Sequence, residues 1–477
     1  MRNRKVIVAA ATIFLLLAAG AAAAYFTVLK KPGDISNPDV PFLAPSPTPG
    51  AKSPKQAPAK PIDFVWPNYG YTKDHRRFFE PAGPLHGPWR AKWKHTASAL
   101  TEFPPAISQG RIVQLSDDAH LVSLDLETGK KIWDRKLGAL SASSPAINSG
   151  RIYVTLLEGG RGSGKGRVVC LRFGDGKILW SKTLASRSES SPLVDSGRVY
   201  FGSEGGTVYA LDASSGKQDW TYRAGGAVKG SPTLSDGILY FGAYGGSVYA
   251  VRARDGAKIW TSGAGHGLLR SGNFYATAAV AFGRVYIGAT DGRAYSFSAK
   301  DGRVAWAHQT GRYVYSSAAV ADVQGKGPMI FFGSYDGTFY ALDARSGKVR
   351  WTFRSGGRIS GSPTIIGDTV YFSDLGRAMT YGLRTNNGKL VFRWEAGAYD
   401  PVISDGRRLY LTARHSLTAL ELRSDFEKRR KAKRAKQKAK KAKTAALVAP
   451  AWPEACRQLA PCGPLTAVRD RRIRLRG

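Results

Sequence analysis

The sequence predicts an all-β protein: an eight-bladed β-propeller preceded by an apolar N-terminal helix and followed by a disordered basic tail. Three observations carry the prediction. Tryptophan-type positions recur at Trp93, Trp133, Trp180, Trp220, Trp260, Trp306, Trp351 and Phe392, in steps of 40, 47, 40, 40, 46, 45 and 41 residues. A period of this length, built from short strands, belongs to propeller blades. Between these positions lie short runs rich in Val, Tyr, Phe and Leu, each closed by Gly, Asp or Ser, as antiparallel hairpins require. The two ends of the repeat are also complementary. Pro88-Trp89-Arg90-Ala91-Lys92-Trp93 reads as a fourth strand with no blade before it, and the copy opening at Pro401 stops after Glu421 without a fourth strand. Joining them closes a ring of eight and removes two free edges. A seven-bladed ring with loose ends is the competing arrangement.

In chain order, residues 1–5 carry Arg2, Arg4 and Lys5 and form a cytoplasmic N-terminus. Residues 6–29 are uncharged and, at 24 residues, long enough to span a bilayer as a signal-anchor helix. Ala22-Ala23-Ala24 also offers a cleavage site, so a removed signal peptide is the alternative. The basic N-terminus favours an orientation with the propeller on the extracytoplasmic side of the cytoplasmic membrane. Residues 30–63 are a Pro-rich linker, expected to be extended because they cannot bury a core. Residues 64–424 make the propeller. Residues 425–477 are a low-complexity tail in which 17 basic side chains face 4 acidic ones. The net charge of the whole chain is +36. Such basicity suggests anionic partners. The basic run lacks the interleaved aromatics that base stacking needs, so anionic lipids or envelope polymers fit better than nucleic acid. Of three cysteines, Cys170 takes a slot held by alanine in other blades and reads as a small buried residue. Cys456 and Cys462 can form one local disulfide in an oxidising compartment.

The turn before each tryptophan has its own motif. Ala210-x-Asp212-x-x-x-Gly216-Lys217-x-x-Trp220 recurs as Ala341-x-Asp343-x-x-x-Gly347-Lys348-x-x-Trp351, and Ser123-x-Asp125-x-x-x-Gly129-Lys130-x-x-Trp133 is a near copy. This resembles the tryptophan-docking motif of PQQ-like propellers, a family that includes quinoprotein alcohol dehydrogenases and BamB-type outer-membrane assembly lipoproteins. The resemblance implies that the eight tryptophan-type residues pack between neighbouring blades rather than act in chemistry. It also implies a test for catalysis. The quinoprotein enzymes of the family carry adjacent cysteines against the quinone and a calcium site with a catalytic Asp. This sequence has no Cys-Cys pair, no recognisable calcium set and near-minimal blades. No cofactor or metal is therefore expected, and the BamB-like non-enzymatic branch is the closer match. No cysteine closely follows residues 6–29, so the lipid anchor of BamB-type proteins has no attachment point here.

Other constellations point nowhere specific. The seven histidines are scattered, and the glycine-rich stretch 159–166 sits between two strand runs as a hairpin extension rather than a phosphate loop. One set remains. Aligning the copies on Pro192 places Glu102, Glu189, Lys229, Tyr275 and Tyr315 at equivalent positions before each innermost strand. Arg187, Arg270, Tyr313, Arg358 and Tyr399 lie nearby. They form either a candidate binding site at the channel mouth or the polar lining of a water-filled channel. The function expected is a membrane-anchored, non-catalytic scaffold, monomeric as a propeller, that binds envelope proteins or anionic polymers. The alternatives are a ligand-sensing module at the channel mouth and a PQQ-dependent oxidoreductase.

Overall fold

The computed structural model describes residues 33–45, 64–158, 164–263, 272–397, 399 and 402–448. The anchor at 6–29, Arg270, Cys456 and Cys462 lie outside them. Eight antiparallel sheets follow one another along the chain. In blade 3, for example, Leu193–Asp195, Arg198–Phe201, Thr207–Asp212 and Gln218–Arg223 pair in sequence. In this blade the second and third strands are almost wholly buried, and the outermost alternates exposed and half-buried residues. That gradient follows from stacking. Only the outer strand faces solvent once blades pack face to face.

Blade 8 settles the count. Val402–Ser404, Arg408–Ala413 and Ser416–Leu422 are completed by Trp89–Thr96, which pairs antiparallel with the last of them. The ring is closed by its N-terminal strand, with eight blades.

Tryptophan docking is the joint between blades. The indole Nε1 of Trp306 donates to Ala344 O at 3.0 Å, in the turn of the next blade, and the ring lies over Gly347. Six further tryptophans, from Trp93 to Trp351, bond the following turn in the same way at 2.9–3.2 Å. Trp93 reaches Leu126 O of blade 1, so the closing strand also makes the closing dock. Cys170 is fully buried in blade 2, as its slot predicts.

Two segments depart from the sequence reading. Within the expected linker, Ile35–Ser36 adds a fifth strand to blade 5, pairing antiparallel with Ala307 and Trp306. Val40 is buried, Arg284 Nε donates to Pro41 O at 2.6 Å, and Phe42 packs on Phe282. Residues 33–45 are thus docked rather than free. Apolar Ile35, Val40 and Phe42 find an edge and a crevice that a Pro-rich composition does not reveal.

The second departure is at the axis. Residues 66–79 run round the axis inside the ring and accept a backbone bond from the innermost strands of six blades in turn. The donors are Ile107 (to Trp66 O, 2.9 Å), Ile147 (Pro67, 2.7 Å), Leu234 (Lys73, 2.8 Å), Val280 (Asp74, 2.9 Å), Val320 (Arg76, 2.8 Å) and Ile365 (Arg77, 2.8 Å). Phe78–Phe79 then runs parallel to Thr364–Ile366. The expected water-filled channel is therefore plugged. Innermost strands in a wide ring expose N–H groups toward the axis, and this segment satisfies them.

The basic run 428–443 lies in a 26-residue helix, Arg423–Val448, and the rest of the expected tail, 449–477, lies outside the described residues. The Ala, Lys, Arg and Gln content of the run favours helix strongly. No helix among the described residues is long and apolar enough to cross a membrane.

Candidate functional site

The plug turns the channel mouth into a cup of about 310 Å³ with Tyr69 among its lining. Six of the ten mouth residues read from the sequence line it: Glu102, Glu189, Lys229, Tyr275, Tyr315 and Tyr399. Five of these stand three residues before the Pro or Ala that precedes an innermost strand, so blade symmetry delivers them to one rim.

A second tier comes from the turns between the second and third strands. Tyr244 and Tyr335 line the cavity from there. These turns are pinned to the first-tier loops through the backbone. Glu204 N donates to Arg187 O at 2.8 Å, Tyr244 N to Ala227 O at 2.9 Å, Tyr335 N to Tyr313 O at 3.0 Å and Leu375 N to Arg358 O at 2.8 Å. Arg187, Tyr313 and Arg358 thus contribute carbonyls to the turn clamp, and their side chains are not part of the cavity wall. Tyr313 is half exposed and backs the wall from behind, its ring centroid 5.8 Å from that of Tyr315 and 6.3 Å from that of Tyr335.

Below the tyrosines runs a collar of hydroxyls. Ser231 N donates to Thr277 Oγ1 at 2.9 Å, Thr277 N to Ser317 Oγ at 2.9 Å and Ser317 N to Ser362 Oγ at 3.0 Å. Each hydroxyl caps a backbone N–H of the preceding blade. Tyr69 OH meets Ser362 Oγ at 3.0 Å and ties the plug to the collar.

Charge in the cup is concentrated on one side. Lys229 Nζ lies 2.8 Å from Glu189 Oε1 and 3.1 Å from Glu204 Oε1. Burial first, and the neighbouring Glu204 with it, raises the Glu189 carboxyl above the usual range, against the pull of Lys229. Glu204 is held low: its bonds to Glu189 and Lys229 outweigh the opposing effect of burial. The pair therefore holds a proton more readily at Glu189, and the Lys229 ammonium is stabilised by both. Across the mouth, burial and the adjacent Glu102 push Asp117 up to about 7. Lys229 also sits 5.6 Å above the ring of Tyr244.

The residues do not fit a quinone cofactor. A carboxylate-bearing quinone needs cationic partners, whereas among the described residues the lining offers two glutamates and one lysine already paired twice. Among the described residues, the one cysteine is Cys170, inside blade 2, and no group of three acidic, His or Cys side chains is placed to hold a metal ion.

A family profile described as outer membrane protein assembly factor BamB matches residues 88–163, 164–327 and 314–410. Among solved structures, BamB from Moraxella catarrhalis aligns with a TM-score of 0.57 at 18% identity, covering 70% of this chain and 100% of that one. A europium-containing methanol dehydrogenase aligns with a TM-score of 0.64 at 14% identity, covering 76% and 99%. A quinohemoprotein alcohol dehydrogenase from Pseudomonas putida HK5 aligns at 0.64 and 13%, covering 76% and 80%. At these identities the likeness to solved structures carries the fold alone. Comparison with curated proteins finds no match.

Proposed function

We infer the role of this protein from one premise: the chain belongs to the family of the outer membrane protein assembly factor BamB. We propose that it is a non-catalytic scaffold of the cell envelope, anchored through residues 6–29, with the ring outside the cytoplasmic membrane. Its partners would be other envelope proteins. The observation that carries this reading is the strand Ile35–Ser36 on the rim of blade 5. It demonstrates in cis that an outer edge of this ring accepts an extended segment, the geometry of partner binding by strand addition. The outer strands of blades 2 and 7 expose adjacent apolar pairs, Ile178 with Leu179 and Leu390 with Val391. The poor fit of the axial cup to a quinone supports a role without catalysis. The helix Arg423–Val448 is basic on all faces and supports an added contact to anionic lipid or polymer.

Photocrosslinkers at Leu179 and Leu390, in native membranes, test the scaffold. Capture of an envelope protein at one of the two rims, and not from a crosslinker at buried Val168, is the expected result. Capture at neither rim, together with saturable dye reduction after loading with PQQ and calcium, would replace the scaffold with an oxidoreductase. A second reading, ligand sensing at the mouth, is favoured by the closed floor of the cup.

A further inference from the structure

We propose that the axial cup is a binding site for a small organic cation bearing a methylated ammonium group. This goes beyond the scaffold reading, which needs only the rim. The cup is closed below by the plug and lined by six tyrosines. Two of those already serve cations built into the protein. Arg77, itself buried, places its Cζ 4.0 Å from the ring centre of Tyr69, and Lys229 lies over Tyr244. The same surface therefore already uses aromatic faces to hold positive charge.

Next to Tyr244, whose ring centroid lies 6.2 Å from that of Tyr275, the wall continues with rings that carry no internal cation among the described residues. There Tyr275, Tyr315 and Tyr335 meet at near right angles. The Tyr275–Tyr315 centroids are 5.3 Å apart at 82°, and the Tyr315–Tyr335 centroids are 5.0 Å apart at 71°. Rings set perpendicular to one another make the corner of a box, which surrounds a round ammonium head. A sugar would instead call for a flat exposed platform. Charge agrees with shape. Tyr275 OH faces Glu189 Oε2 at 3.5 Å. Among the described residues, Lys229 is the one cationic side chain of the lining, and it is paired with Glu189 and with Glu204, which also faces Arg187 at 3.9 Å. A volume of about 310 Å³ stands at the small end of ligand pockets and suits a compact head group.

The probes are choline and its neutral isostere 3,3-dimethyl-1-butanol, titrated calorimetrically into the full-length protein in detergent. Saturable choline binding is expected, with the isostere at least tenfold weaker. Tyr335→Leu should weaken choline at least tenfold, and Tyr335→Phe, which keeps the ring, by no more than about threefold. Circular dichroism of both variants reports whether the ring still folds. Rim crosslinking should be unchanged in Tyr335→Leu, which separates failure of this site from failure of the scaffold. Equal binding of choline and its isostere, choline binding that survives Tyr335→Leu, or binding of a neutral monosaccharide where choline does not bind would each overturn the proposal.

Discussion

Gly347→Ala is expected to destabilise the ring, and the structure says by how much. Gly347 has φ +72°, and a Cβ built on it lies 2.7 Å from the indole of Trp306. The left-handed backbone costs an L-residue about 1–2 kcal/mol. Overpacking against a ring that is 1% exposed and cannot swing away adds roughly 1–3 kcal/mol. Trp306→Ala alone should cost about 3–5 kcal/mol through lost packing. It also leaves the fully buried Ala344 carbonyl without its indole donor. The two changes should not add. Once the indole is gone, the new methyl has nothing to strike, so the double variant recovers roughly 1–3 kcal/mol relative to the sum. Urea unfolding of the four proteins, followed by tryptophan fluorescence and circular dichroism, measures this cycle. A Gly347→Ala variant within about 0.5 kcal/mol of wild type, or strict additivity, would refute the docking account.

Trp66→Ala should cost about 3–5 kcal/mol, because Trp66 is 1% exposed at the start of the plug. Faster hydrogen exchange at Ile107, Ile147 and Leu234 would show that innermost N–H groups depend on it. Asp117 sets a pH slope. Its folded pKa of about 7 lies above the unfolded value, so the folded chain keeps a proton that the unfolded chain has released. Stability therefore falls as pH rises from about 4 to about 7. Asp117→Asn should flatten that part of the profile and leave the variant more stable than wild type at pH 8; an unchanged slope in thermal melts would contradict the assignment. Deleting residues 425–477 should abolish most binding to polyphosphate at 50 mM salt, whereas the intact chain should lose affinity steeply up to 200 mM. Equal retention of both proteins at low salt would leave the helix without an anionic partner.

The repeat was legible because its causes are local. Asp212, Gly216 and Trp220 each answer a need of one turn or one contact, so they recur at a readable spacing. The plug was not legible, because residues 66–79 have no period of their own. They take their shape from carbonyls offered to strands up to about 300 residues away. The site was half legible. Register alone brought out Glu102, Glu189, Lys229, Tyr275 and Tyr315, since one alignment on the innermost strand indexes one tier. The second tier required a second alignment. Glu204, Tyr244 and Tyr335 occupy the same slot in Gly202-Ser203-Glu204, Gly242-Ala243-Tyr244 and Gly333-Ser334-Tyr335. Reading them together would have exposed both the Glu189–Glu204–Lys229 cluster and the tyrosine corner. Arg187, Tyr313 and Arg358 all lend carbonyls to the turn clamp, a role that side-chain chemistry does not announce, while the Arg187 guanidinium also faces Glu204 at 3.9 Å.

Phe392 explains itself once closure is understood. Every docking tryptophan sits over a turn glycine of the next blade: Trp93 over Gly129, Trp180 over Gly216, Trp351 over Gly388. Blade 7 precedes blade 8, whose outermost strand comes from the other end of the chain, Trp89–Thr96. Blade 8 therefore has no turn between its third and fourth strands, no glycine to lie on and no turn carbonyl to accept an indole N–H. Its place is walled by Leu85, His86 and Trp89 beside Phe392, around a gap of about 370 Å³. An indole there would bring a buried donor without the partner that the other seven enjoy, a cost of about 1–3 kcal/mol. A phenyl ring fills the space without that demand and packs edge-on against Tyr371 at 5.4 Å. The one position where the repeat loses its tryptophan is thus the position where the ring changes strand of origin. The exception and the closure have a single cause.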